Sequence, residues 1–80
     1  MVKNILVFGA GYVGSSLSVL LAEKYETILV DIDFDKVNKI NSGVPPIEDT
    51  LMKNYLDTKN LKLFATTEGE GYINNSDLII

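Results

Sequence analysis

No cysteine, no histidine, no arginine and no tryptophan occur among the 80 residues of this chain. Each absence removes a class of function. Without cysteine there are no disulfides and no thiolate ligands, and without histidine as well a zinc or haem site would lack its usual donors, so no metal ligand is assigned. The same gaps leave no candidate catalytic residue. Missing arginine, with seven basic against eleven acidic side chains and a net charge of −4, means no basic face that could track phosphates, which excludes DNA and RNA as partners. Long apolar runs are missing too. Ile5 to Phe8 is followed by glycines and then serines, so the N-terminus is neither a secretory core nor a membrane span of about 20 residues. A soluble, cytoplasmic chain is expected.

What is present is a chain 46% apolar and long enough for one compact unit. Such a chain buries only about 60 to 65% of its extended-state surface, so its core is small. Short β-type runs alternate with stretches of helical period, the pattern of βαβ units around a parallel sheet. Asn4 to Phe8 reads as a first strand, and from about Gly11 to Lys24 the residues Val13, Leu17, Leu20 and Leu21 draw a buried helical stripe. Thr27 to Asp31 is a second strand. Asp33 is placed to cap a helix carrying Phe34, Val37 and Ile40 on one face until Gly43. After Pro45 and Pro46, a further helix is expected from Glu48 to about Thr58, then a third strand from Leu61 to Ala65. Thr67 is placed to cap a short helix through Asn75, weakened by Gly69 and Gly71. Asp77-Leu78-Ile79-Ile80 has the composition of a fourth, buried strand that is cut off.

The chemistry lies in the first turn. Gly9-Ala10-Gly11-Tyr12-Val13-Gly14 matches G-x-G-x-x-G between a strand and a helix, the context in which this otherwise weak pattern carries weight. Gly9 permits the tight turn, Gly11 lets a pyrophosphate approach the backbone, and Gly14 lets the helix pack close to the strand. The helix N-terminus offers free amides and about half a positive charge to an anion. Tyr12 and Val13 contribute through their backbone positions, with Val13 also packing under the turn. Asp31 falls 20 residues after Gly11, where an acid at the end of the second strand accepts hydrogen bonds from the adenosine ribose. Its carboxylate would repel a 2′-phosphate, so NAD is favoured over NADP. Lys36 is the only nearby cation, either solvated or reaching the nucleotide edge. The expected architecture is α/β: a Rossmann-type parallel sheet with helices on both faces, strand order 3-2-1-4, of which residues 1–80 form the N-terminal half.

With Gly9 to Gly14 stand Val30-Asp31-Ile32-Asp33, Lys36-Val37, Lys39-Ile40-Asn41, Gly43 and Pro46-Ile47-Glu48-Asp49. Together these resemble the N-terminal domain of the UDP-glucose/GDP-mannose dehydrogenase family over essentially the whole chain. The G-Y-V-G turn and the P-I-E-D loop are the specific parts. Enzymes of that family oxidise the C6 alcohol of a nucleotide sugar to the carboxylate in two steps, reducing two NAD⁺ and passing through a thioester on a cysteine. The resemblance implies that Gly9, Gly11, Val13 and Gly14 line the pyrophosphate, that Asp31 holds the ribose, and that Lys36 sits nearby. It also implies that the nucleophilic cysteine and the sugar-nucleotide pocket belong to later segments of a longer protein, so this chain is not catalytic alone. Ser15, where the family often has leucine, reads as a surface-compatible change. Glu48-Asp49-Thr50-Leu51, in place of the Glu-Pro-Gly-Leu of many GDP-mannose and N-acetylmannosamine relatives, favours the UDP-glucose branch.

Two other readings of the turn stand beside this one. A regulatory NAD-sensing module of a potassium channel or transporter shares the turn and the acid, but its third strand follows the second helix closely, without the proline turn and extra helix between Gly43 and Lys62. A flavin-binding opening usually has Glu where Asp31 stands. Strand order 3-2-1-4 places Asp77 to Ile80 at the sheet edge, where an apolar strand could pair with a second copy. Self-association is expected.

Overall fold

The structure, a computed structural model, describes residues 2–58 and 60–80. Its elements are β1 (Asn4–Phe8), α1 (Tyr12–Leu21), β2 (Glu26–Val30), α2 (Phe34–Asn41), α3 (Thr50–Thr58), β3 (Leu63–Thr66), a 3₁₀ helix (Glu70–Asn75) and β4 (Leu78–Ile79). All strand pairs are parallel and the order is β3-β2-β1-β4, as the alternating pattern implied.

The period of two along each strand sorts the side chains onto two faces. Ile5 and Val7 of β1, Leu29 of β2 and Ala65 of β3 share one face and form a buried cluster with Val37 and Ile40 of α2. Helix α1 lies on that face too, since Gly14 approaches the Val7 side chain. Two right-handed crossovers, β1 to β2 and β2 to β3, require both helices on one side. Leu6, Phe8, Ile28, Val30 and Phe64, in mutual register, occupy the opposite face. There the segment entering the 3₁₀ helix crosses, with Gly69 pressed against Val30 and Phe8. Phe8 and Phe64 nevertheless stay about half exposed on that face.

Helix α1 differs from the expected stripe. It ends at Leu21 rather than Lys24, and its buried residues are Ser15, Ser18 and Val19, continued by Ala22. Val13 is 80% exposed and Leu20 is exposed as well, so Val13 does not pack under the turn; of the expected stripe, Leu17 is half-buried and Leu21 packs against the core cluster. The cause is proximity. Gly14 sits against the Gly9 backbone, and where the helix is held that close to the strand its inner face carries Ser15 and Ser18, while Val13 on the same turn faces outward. Ser15 is therefore not at the surface; it is 0% exposed, and its hydroxyl has no hydrogen-bond partner among the described residues.

Other boundaries follow their local chemistry. Asp33 caps α2 as expected, its carboxylate accepting from the Asp35 and Lys36 amides at 3.0 and 3.4 Å. The P-I-E-D loop stays ahead of α3, which begins at Thr50 rather than Glu48, and its last residue caps that helix: Asp49 Oδ1 accepts from the Met52 amide at 3.0 Å. β3 begins two residues later than expected, at Leu63, and runs through Thr66. Thr67 caps nothing; the 3₁₀ helix starts at Glu70 without a side-chain cap, and it is the Thr66 hydroxyl that accepts from the Glu68 amide. Gly69 precedes that helix and does not weaken its interior. A Cβ there would come within 3.0 Å of both Val30 methyl groups, so the glycine is a close-approach position.

Both outer strands expose backbone, and one is covered. The Asn41 carboxamide donates to the Ala65 carbonyl at 2.8 Å and accepts from the Ala65 amide at 2.9 Å. A side chain of α2 thus occupies the groups that β3 turns away from β2, which blunts that edge.

Candidate functional site

Strand β1 pairs with β2 on one side and β4 on the other, and the connections leave towards opposite faces. That is a topological switch point, where open α/β sheets bind ligands outside the carboxyl ends of their strands. The glycine turn lies at this place. Gly9 adopts φ +98°, a left-handed conformation that L side chains rarely adopt, and its amide donates to the Val30 carbonyl at 2.7 Å. Gly11 is the N-cap of α1 in an extended conformation, with no side-chain cap and no acid in the first turn. The leading amides of α1 are thus left to a ligand. A Cβ on Gly11 would meet nothing within 4 Å, while one on Gly14 would collide with the Gly9 carbonyl. The three glycines do separate things: one bends, one leaves an approach open, one allows contact.

Asp31 stands at the tip of β2 with both carboxylate oxygens engaged. Oδ2 accepts from the Ala10 amide at 2.6 Å and Oδ1 from the Asp33 amide at 2.8 Å. The Ala10 hydrogen bond holds the Asp31 carboxyl below the usual carboxylate range, partial burial opposes this, and the Asp33 amide and the Lys36 charge add to the lowering. The group is a carboxylate at any physiological pH.

A cleft along the carboxyl edge is lined by Gly9, Asp31, Ile32, Thr67, Gly69 and Ile73, among others. It unites Gly9 with Asp31, as the spacing implied. Tyr12 and Val13 lie on the exposed first turn of α1, and Lys36 acts on Asp31 through its charge. Ile32, Thr67, Gly69 and Ile73 were not legible as site residues. Ile32 is 95% exposed directly after the acid, which is the one local hint; the other three arrive through the crossover to β4 and have no local signature.

The uncapped helix start, the open approach at Gly11 and the acid at the neighbouring strand tip fit the two halves of an ADP moiety: an anion on amides and a diol on a carboxylate. Fold and site define a Rossmann-type dinucleotide-binding domain. Comparison with known proteins makes the assignment particular. The sequence model of the UDP-glucose/GDP-mannose dehydrogenase family, NAD binding domain, matches residues 3–80, and the chain belongs to that family as its NAD-binding domain. A UDP-glucose 6-dehydrogenase of Streptococcus pneumoniae is 44% identical over 65 residues, covering 81% of this chain and 16% of that protein. A UDP-glucose 6-dehydrogenase of Campylobacter jejuni is 34% identical over 80 residues, covering 96% of this chain and 20% of the relative. Among solved structures, a GDP-mannose dehydrogenase from Pseudomonas aeruginosa in a ternary complex superposes with a TM-score of 0.84 at 31% identity, over 94% of this chain and 18% of that one. The chain thus spans a fifth or less of the length of these relatives. Family membership also removes the ground for the channel-sensor reading. Among the described residues, no helix is long and apolar enough to cross a membrane.

Proposed function

We propose that this chain is the NAD-binding portion of a cytoplasmic UDP-glucose 6-dehydrogenase, a protein that oxidises UDP-glucose to UDP-glucuronate with two NAD⁺ and water. The observation that carries the cofactor half is the uncapped α1 N-terminus beside Gly11, with Asp31 on the same carboxyl edge. In this reading the pyrophosphate rests on the backbone of Gly9, Gly11, Tyr12, Val13 and Gly14, and the Asp31 carboxylate accepts from the adenosine ribose. Lys36 tempers the local negative charge. When bound, NAD⁺ supplies a hydride acceptor; the present residues bind and orient it and assign no proton to any atom. The substrate half rests on the two UDP-glucose 6-dehydrogenase relatives and on the Glu48-Asp49-Thr50-Leu51 loop. The sugar nucleotide and the thiol that carries the thioester belong to the longer protein.

Titration calorimetry tests the cofactor reading. NAD⁺ is expected to bind, NADP⁺ about tenfold or more weakly because its 2′-phosphate meets the Asp31 carboxylate, and Asp31→Ala to weaken NAD⁺. Equal affinity for the two cofactors would remove Asp31 from this role.

The chain also self-associates, in this proposal, through the edge formed by Asp77 to Ile80. β4 is an outer strand, and Leu78, Ile79 and Ile80 are each exposed, the condition under which strands pair between copies. Light scattering at high concentration is expected to show species larger than the monomer; a clean monomer refutes it.

A further inference from the structure

The carboxylate of Asp31 has a second contact that a ribose ligand does not require. Ala10 lies between the two leading glycines and is 1% exposed. Its amide precedes the helix, so no carbonyl of α1 can accept from it, and a buried amide without an acceptor is costly. The acceptor it finds is Asp31 Oδ2, 21 residues away at 2.6 Å. Next to it, the Gly9 amide donates to the Val30 carbonyl at 2.7 Å. Two consecutive peptides of the turn are thereby tied to the tip of β2, one by a backbone carbonyl and one by a charge-assisted bond, the stronger kind. The carboxylate is itself oriented from behind by the Asp33 amide at 2.8 Å. Each carboxylate oxygen accepts up to two hydrogen bonds, so one position on each is left for the ribose hydroxyls.

We propose that Asp31 is a positioning residue for the pyrophosphate as well as a ribose ligand: through the Ala10 amide it holds the glycine turn in its anion-binding conformation before the cofactor arrives. This rests on the cofactor reading above, and it makes an opposite prediction from charge alone. A carboxylate near a pyrophosphate repels it, so if repulsion were its only effect there, Asp31→Asn would tighten any diphosphate that lacks ribose hydroxyls. As a clamp, Asp31 makes that substitution weaken it, because an Asn side chain cannot accept from Ala10 and Asp33 with both of its terminal atoms.

Two measurements on the full chain decide the matter. The first needs no ligand: amide hydrogen exchange at Ala10 is expected to quicken about tenfold or more in Asp31→Ala, relative to the Ala65 amide, which reports general loosening. The second uses ADP and 2′,3′-dideoxy-ADP, followed by amide shifts. Asp31→Asn is expected to weaken the dideoxy compound about threefold or more, and ADP further still. Unchanged Ala10 exchange, or dideoxy-ADP binding that is unchanged or tighter, overturns the clamp. Should the variants fail to fold, the Ala10 amide proton of the parent chain is followed below pH 3.8; it must move as Asp31 protonates, and a fixed shift overturns the proposal. A parent chain that binds neither nucleotide defeats the cofactor reading, and the exchange measurement still decides the clamp by itself.

Discussion

Replacing Gly14 with alanine isolates the contact on which the site's geometry depends. In a helix interior alanine is favoured over glycine by about 1 kcal/mol, so propensity alone predicts a more stable protein. The structure predicts the reverse. An alanine Cβ would lie far inside van der Waals contact of the Gly9 carbonyl oxygen, 3.0 Å from the Gly9 carbonyl carbon and 3.8 Å from a Val7 methyl. The Gly9 peptide has little room to yield, because its amide is bonded to Val30 and the next amide to Asp31. Relief therefore requires α1 to withdraw from β1 by more than an ångström, loosening the packing of its buried residues Ser15, Ser18 and Val19. Overpacking of this kind costs about 1–3 kcal/mol or more, and with backbone on the receiving side we expect the upper part of that range. After the propensity gain the net loss is about 1–2 kcal/mol. For a domain of this size that lowers the melting temperature by about 5–15 °C. Thermal and urea unfolding followed by far-UV circular dichroism measure it directly. A melting temperature equal to or above that of the parent would refute the close approach of α1 to β1, and with it the explanation of why small residues line the inner face of the helix.

Gly11→Ala is the counterpart: its Cβ stands in open space, so stability should change by less than about 1 kcal/mol while NAD⁺ affinity, read by calorimetry, falls sharply; unchanged affinity would place the pyrophosphate elsewhere. Ser15→Ala removes a buried hydroxyl that has no partner among the described residues and should stabilise the chain by about 1 kcal/mol, seen as a higher melting temperature; a loss would mean the hydroxyl is bonded. Acid should act through two depressed carboxyls, Asp77, held low by the Asn4 and Lys3 amides, and Asp31, held low chiefly by the Ala10 amide. Their stabilisation is complete above the ordinary value of 3.8 and is lost as pH falls through the lowered folded values. Urea midpoints should be flat near neutrality and drop below about pH 4, and Asp77→Asn should make that drop shallower. An unchanged profile in the variant would separate Asp77 from acid stability.

Residues whose partners are near in sequence were legible. The glycine turn, the Asp33 cap and β1 are each specified within about six residues, and a strand–turn–helix with an acid at the expected spacing leaves few arrangements to choose from. Asn41 shows the contrary case. Read as one residue of a helix end, it carries no signal, yet its side chain satisfies both backbone groups of Ala65 across 24 positions. Asp31 stood out by its spacing from Gly11, while the hydrogen bond it accepts from the Ala10 amide, 21 residues away, did not.

Taken alone, the amino-acid order carried the α/β architecture through its periodicity, the strand order through the glycine turn and acid spacing of a Rossmann-type domain, and the family and cofactor class through its resemblance to known sequences. Only the tertiary structure decided which face of α1 is buried, that Ser15 lies inside, that Gly69 admits the crossover against Val30 and Phe8, and that the Asp31 carboxylate accepts from the Ala10 amide. Those are matters of distance between segments far apart in the chain. A helix at ordinary separation from the sheet would have buried Val13; drawn in by the glycine-to-glycine contact, its first turns bury Ser15 and Ser18 instead.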